Sequence, residues 1–507
     1  MNARYFNFNN SPFQFSFCIF SFLLISGPFL PDLMVTLMSL YFIAYCIYNK
    51  KIFFYKKKLI IFFLIFYLYI NINSYFSDFS SVSFATSVPY IRMILFAVFT
   101  AYLLKKISNL KKIIFFSFLS SYLILLLDSL IQIKTGQNIS GYPIINSRVS
   151  SFFGDKLIMG SYAIRTLPIL IAISYFEDFK HNNFLRALCI VLVGILVFFS
   201  SERVSSIFYI TTVVTYLFFL PNKKQFFFHI GLLGFVFSIL FFFKPSSIDR
   251  IYGHTLSQFK QSKVFLFSER HQMHFLTAYR MFSDKIFFGH GIKSFRYLCD
   301  DPRYTVRDVI ENINKKFSPV DGYFYLFAPD HSLVTSAYLI KNSEKDEFEK
   351  IMNSSKQVFE SFLDKYSVVN FYVSGHIFDQ IESGTSVNKG DFIVSNSEYR
   401  NGCNTHPHNS HLQILSELGL LGYLFFVSFF IYLIVIFVQN AINNFLSKNI
   451  IIQENNKRLY GIFIVLGIIQ SLFPIIPSGN IFNNWISCML YFKLAFLFHY
   501  LYFQKKC

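Results

Sequence analysis

Apolar residues fill this chain in long blocks. Runs of roughly 17–25 residues, enough for a helix to cross the hydrocarbon core of a bilayer, recur from end to end. We read twelve, at about 12–29, 32–48, 58–74, 87–104, 112–132, 156–175, 184–200, 204–220, 225–243, 412–437, 459–476 and 483–503. The first two are parted by "GPFLPD", a short turn on Pro28 and Pro31. The first span has no basic leader and no small-residue cleavage site, so it reads as a retained helix and not a signal peptide. The expected fold class is an α-helical polytopic membrane protein.

The polar intervals alternate in charge. "NKKIFFYKKK" (49–58), "KKISNLKK" (105–112), "PNKKQ" (221–225), "SKNIIIQENNKR" (447–458) and the tail are basic. "NINSYFSDFSSVSFATSVP" (71–89) and "IIPSGNIF" (475–482) hold no basic residue. Lysine and arginine stay on the cytoplasmic side of short loops. Both termini are therefore expected in the cytoplasm. Nine spans precede the long polar stretch Lys244–His411, so it is expected on the outer side. This divides the chain into a membrane domain (1–243), an outer segment (244–411) and C-terminal membrane helices (412–507).

Composition agrees. Of 507 residues 54% are hydrophobic and 15% charged, with mean hydropathy +0.45, whereas soluble domains carry about 25% charged residues. The net charge of +18 is mostly topological signal: 244–411 holds 20 basic and 19 acidic residues, so the excess lies elsewhere. No nucleic-acid partner is needed to explain it. The 70 phenylalanines read as lipid-facing and helix-packing bulk.

The outer segment opens with "SERHQMHFLTAYRMFSDK" (268–285), in which Met273, Leu276, Tyr279 and Phe282 recur near helical spacing. "IFFGHGIKSF" then turns on Gly289 and Gly291. A second helix is expected over 347–366, and strand and turn over 387–399. Of seven cysteines only Cys299 and Cys403 lie in this segment. An oxidising compartment would permit a disulfide between them, closing a loop of about 100 residues and contributing up to ~4–5 kcal/mol in the chain-entropy model.

Candidate chemistry gathers in "NTHPHNSHLQILSELGLLGY" (404–423). "SHLQ" has the spacing of a capping box, which starts a helix near Ser410. His408 and Asn409 then sit before a helix N-terminus, where the dipole favours an anion and a neutral imidazole. Such a histidine can serve as a general base, or can simply hydrogen-bond the loop. Gly419 and Gly422 would let another helix approach. Glu417 falls about two turns into the membrane, where a carboxylate needs a partner or a function. Cys403, His406, His408 and His411 could ligate zinc, but His-Pro-His matches no standard closed site, and no metal is expected.

Arg148 in "NSRVSSFFGDKLIMGSY" and Arg203 in "SSERVSS" sit at the outer ends of the spans and break the charge rule, with Lys156 at the same face and Arg165 further into the following helix. Guanidinium forks suit a multiply anionic headgroup. The plainer alternative is lipid contact or pairing with Glu202 or Asp155.

Taken together, these stretches resemble the bacterial O-antigen ligase and polymerase superfamily. His408-Asn409, nine residues, then Gly419 and Gly422 resemble the family's histidine signature. "SSERVSS" resembles its arginine turn, "RVSSFFGDKLIMGSY" the stretch before a middle helix, and the 269–295 region its outer-loop arginine, amphipathic helix and G-x-G. The likeness covers about 145–300 and 403–437. It implies a GT-C-like architecture in the bacterial inner membrane and a metal-independent, inverting glycosyltransferase without cofactor. The donor would be an undecaprenyl-diphosphate-linked glycan, and the acceptor lipid A-core, another glycan chain or a protein. By that resemblance His408, Arg203 and Arg270 are catalytic. Arg148, Arg280, Asn409 and His411 bind substrate, and Gly419, Gly422, Cys299 and Cys403 are structural. Residues 300–400 exceed the family's usual loop and match no motif. A lipid-linked oligosaccharide flippase is the alternative from another class, though no repeat of two halves is visible. An outward metal sensor is a third.

Overall fold

A computed structural model of the chain describes residues 11–50, 57–145, 147–220, 222–243, 269–299, 301, 303–304, 322–327, 335–341, 369–372, 393–395, 403–446, 452–474 and 476–503. Among the described residues ten α-helices precede the long polar segment: α1 (Ser11–Ile25), α2 (Phe29–Asn49), α3 (Lys58–Tyr75), α4 (Ser80–Ser87), α5 (Ile91–Lys106), α6 (Leu110–Thr135), α7 (Met159–Phe176), α8 (Asn182–Ser200), α9 (Arg203–Phe218) and α10 (Lys223–Phe243). Within and after it come α11 (Glu269–Asp284), α12 (Phe295–Leu298), α13 (Ser410–Leu446), α14 (Ile452–Ser471) and α15 (Asn484–Phe498).

Each expected apolar span coincides with a helix. Among the described residues eight helices are long and apolar enough to cross a membrane. The expected count of twelve is not reached on that measure. The apolar helices α1 and α9, with 15 and 16 residues, rise only about 22–24 Å, short of a hydrocarbon core of about 30 Å. The chain is a multi-pass α-helical membrane protein.

Phenylalanine fills the space between helices. Phe20 of α1 meets Phe492 of α15 at 4.9 Å between ring centroids and Phe96 of α5 at 6.2 Å. Many polar groups inside the bundle find partners, since a water-free core offers none. Asp32 of α2 accepts a forked hydrogen bond from Arg92 of α5 and another from Asn484 at the start of α15. α7 packs along α8 and α14, and α14 along α13.

The α6–α7 connection is pinned from below. Asp128, fully buried, accepts from the Ile139 amide, Asn138 Nδ2 and Ser151 Oγ. Gln132, one turn on, accepts from the Ser150 and Ser151 amides and donates to the carbonyls of Tyr142 and Pro143.

α13 is broken at Gly419, which takes φ +65° and ψ −168°. A break in an apolar helix exposes backbone groups, and here a loop satisfies them. Gly291 N donates to Glu417 O at 2.7 Å and His290 N to Ser416 O at 3.0 Å. Leu420 N and Leu421 N donate back to the carbonyls of Ile286 and Phe287. The strands of backbone touch: a Cβ on Gly289 would stand 2.6 Å from the Glu417 carbonyl carbon. The glycine expected to admit a neighbouring helix thus admits the 286–291 loop instead. Gly422 lies against Tyr69 of α3, whose hydroxyl donates to Leu418 O.

α11 forms where the pattern placed it. Its buried face carries His274, Thr277, Ala278 and Met281, while Leu276 and Tyr279 are exposed. Ala278 and Met281 join Phe295, Leu298, Cys299 and Tyr304 in a small second core. A disulfide joins Cys299 to Cys403, with Cα atoms 4.8 Å apart, and so ties α12 to the loop that leads into α13. Between 305 and 402 the described residues are four short antiparallel strands, Gly322–Phe327, Thr335–Lys341, Val369–Tyr372 and Ile393–Ser395, paired in that order. The last falls within 387–399. The helix expected over 347–366 lies outside the described residues.

Candidate functional site

The polar loop before α13 is held at both ends. Asn409 Oδ1 accepts from the amides of His411 and Leu412 at 2.9 and 3.0 Å, so Asn409 is the N-cap. Asn409 Nδ2 donates to Pro474 O. The capping box expected from Ser410 and Gln413 does not form. The helix begins with Ser410, which leaves the cap to the residue before it. Gln413 instead donates to Glu417 Oε2 and Asn480 Oδ1 and accepts from Ile481 N. Ser478 N donates to His408 O at 2.7 Å, and Ser410 N donates to Ser478 Oγ at 2.8 Å.

His408 sits in the left-handed region, φ +54°. For a non-glycine residue this conformation is uncommon and persists only where the surroundings fix it. The cap on one side and the disulfide on the other do so. Half-buried, its imidazole receives a hydrogen bond at Nε2 from Asn404 Nδ2, 3.1 Å away. That leaves the ring proton on Nδ1.

Three more imidazoles surround it. His406 lies 4.2 Å away between ring centroids, His274 5.2 Å and His271 5.4 Å. His271 and His274 stand three residues apart on α11, so one helix face delivers both. His406 Nε2 is buried without a hydrogen-bond partner. Burial, with His274, Arg296 and His271 nearby, lowers the His406 imidazole to about 4, so it is neutral.

Arg296, on α12 just before the disulfide, acts on both His406 and Glu417, and its Nε is buried without a partner. Lys293, at φ +62°, lies beside it. Burial, then the Arg296 charge, lowers the Lys293 ammonium. Glu417 is fully buried below them, with Oε1 unpartnered. The arrangement can attract an anion and offers a basic nitrogen at its rim.

The other expected residues fall as follows. His411 turns into the bundle: its Nε2 donates to Leu472 O at 2.8 Å and its Nδ1 accepts from the Tyr423 hydroxyl at 3.1 Å. It clamps α13 to α14. Cys403 is in the disulfide, so the four expected zinc candidates do not converge. Among the described residues no set of three or more His, Cys, Asp or Glu side chains has the geometry to hold a metal ion. Arg148 braces the α8–α9 turn, donating from Nε to Ser200 O and from Nη2 to Leu157 O, with Glu202 at 3.9 Å. Glu202 caps α7 from outside, accepting from the Gly160 and Ser161 amides and from the hydroxyls of Ser161 and Ser205. The expected pairing with Glu202 is thus present, while Asp155 pairs with Lys156. Arg203 opens α9 directly after that cap. Arg270 lies in the first turn of α11, one turn before His274. Arg280 is half-buried on the same helix, half a turn round from His271.

Sequence reasoning missed His271, His274, His406 as its neighbour, Lys293 and Arg296. The quoted stretches contain all of these but Arg296, which follows directly on Phe295. Nothing in their spacing says that α11 and α12 return to the mouth of α13.

The fold and site define a multi-pass helical membrane protein with an imidazole and guanidinium cluster at the mouth of one helix. No protein-family model matches the chain, and no curated protein matches it at a significant level of similarity.

Proposed function

We propose that the protein is a membrane glycosyltransferase of the O-antigen ligase and polymerase kind. It would move a glycan from an undecaprenyl-diphosphate carrier to an acceptor hydroxyl at the periplasmic face of the inner membrane, with lipid A-core as the leading acceptor. The observation that carries this reading is the meeting of His408 with His271 and His274 of α11, with Arg296 acting on the neighbouring His406. The histidine signature supplies His408, the 269–295 region supplies His271 and His274 beside it, and Gly419 seats the 286–291 loop. The alternation of basic loops supports the orientation, with both termini cytoplasmic.

In this reading the acceptor hydroxyl replaces the Asn404 amide as donor to His408 Nε2. His408 removes its proton as the oxygen attacks the anomeric carbon. The bond from that carbon to the diphosphate oxygen breaks on the opposite face, giving inversion. Undecaprenyl diphosphate leaves with the bonding electrons. Arg203 and Arg270 bind the diphosphate, and Arg296 and Lys293 add positive potential where its charge grows. Fixed charges aimed at a leaving group can lower a barrier by several kcal/mol. Glycan chains and protein hydroxyls are the alternative acceptors, because the same chemistry serves all three.

Purified protein given an undecaprenyl-diphosphate glycan in EDTA tests this. Transfer abolished by Arg203→Ala in folded, membrane-inserted protein is the expected result. No transfer to any of the three acceptors would count against the reading and put the flippase ahead.

A further inference from the structure

Arg165 lies within α7 and faces a small cavity lined by Ser410, Ser471, Ser478 and Gly479. Among the described residues nothing hydrogen-bonds its guanidinium. Glu202 is the carboxylate whose field reaches it, but the Glu202 oxygens are already taken by the α7 amides, Ser161 and Ser205. A buried lysine stands close. Lys493 of α15 is 1% exposed and near enough for its charge and that of Arg165 to repel. Its ammonium donates to Gly467 O and Ser471 Oγ, both neutral.

An arginine does not shed its proton at ordinary pH. Charges buried in a membrane domain pair, coordinate an ion or line a route. Here the guanidinium has a buried lysine for a neighbour, and Ser471, which lines the cavity, also accepts from that lysine. The cavity is small, with room for one compact occupant beside the guanidinium. A diphosphate does not fit. A water fits but offsets no charge.

We propose that this cavity binds one small monovalent anion, chloride, between Arg165 and the serine hydroxyls. Ser410 and Ser478 are also the residues that fix the backbone at His408, so the ion would stiffen the floor of the candidate site. The proposal stands whether or not the protein transfers glycans.

The test uses full-length protein in zwitterionic nanodiscs. Melting temperature is followed as chloride replaces gluconate at constant ionic strength. A saturable rise is expected in the wild type, as for any ligand of the folded state. Arg165→Gln should lose the rise, and Lys493→Met should weaken it. A general salt effect would act equally on all three and would not saturate. An absent or unsaturable rise in the wild type, or a rise kept in Arg165→Gln, overturns the proposal. If Arg165→Gln does not fold, anomalous scattering from wild-type crystals grown in bromide decides. A peak beside Arg165 is expected, and its absence overturns the site.

Discussion

The imidazoles of His274 and His408 stand 5.2 Å apart, one on α11 and the other in the loop that enters α13. The long segment between them in the chain separates them in sequence, and two devices close the gap. One is the Cys299–Cys403 disulfide. The other is the seat of the 286–291 loop on the break in α13.

The first device is open to reduction. Replacing Cys299 or Cys403 by serine should lower stability by about 2–5 kcal/mol, the usual range for a native disulfide closing a long loop. Melting temperature and a reduced-versus-oxidised gel shift read this. An unchanged melting temperature on reduction would mean that the loop is held without the bond.

The second device depends on glycine. Gly419→Ala puts a side chain into a positive-φ position and against the Phe288 amide, 2.5 Å from the new Cβ. The expected cost is about 1–3 kcal/mol from backbone strain alone, with the clash added. Thermal unfolding checks it. A variant as stable as the wild type would contradict the tight seat. Gly231→Ala, with nothing within 4 Å of its Cβ, is the control.

His406 gives a pH signature. Its folded value of about 4 lies below the ordinary value of 6.5. The unfolded chain therefore takes the proton first. The stabilisation is present above about pH 6.5 and is lost as pH falls through 4. At 1.36 kcal/mol per pH unit it reaches about 3 kcal/mol at most. Melting temperature from pH 7 to pH 4.5 should fall less steeply in His406→Gln than in the wild type. Equal slopes would remove His406 as the cause.

Glu202 caps α7 through two backbone amides. Glu202→Ala should cost about 1–2 kcal/mol, the scale of a lost cap, and should disturb the turn that presents Arg203. Glu202→Gln retains an acceptor and should recover part of the stability. Equal losses in both would assign the effect to charge, through Arg148, and not to the cap.

Hydropathy made the helices legible, because a run of apolar residues is a local property. The start of α13 at Ser410 was legible too, but its cap was assigned to the wrong residue, since Ser410 and Asn409 both carry capping side chains. The loop seated on Gly419 was not legible. Two glycine pairs announce close approach without naming the partner. The imidazole cluster was half legible: His408 stood out at a helix mouth, whereas His271 and His274 read as ordinary positions on an amphipathic helix. Their role depends on which face of α11 turns inward, and the side carrying Leu276 and Tyr279, which the pattern picked out, is the exposed one. Arg296 carried no signal, because its neighbours His406 and Glu417 lie beyond the unmatched segment.

The central claim is that His408 acts on the acceptor while other residues hold the donor. The most direct measurement pairs donor binding with single-turnover transfer in His408→Ala, with EDTA present and membrane insertion verified. Donor affinity should stay near the wild-type value while transfer falls by about 10²–10⁴-fold, the range for a lost general base. Transfer at the wild-type rate would contradict the claim.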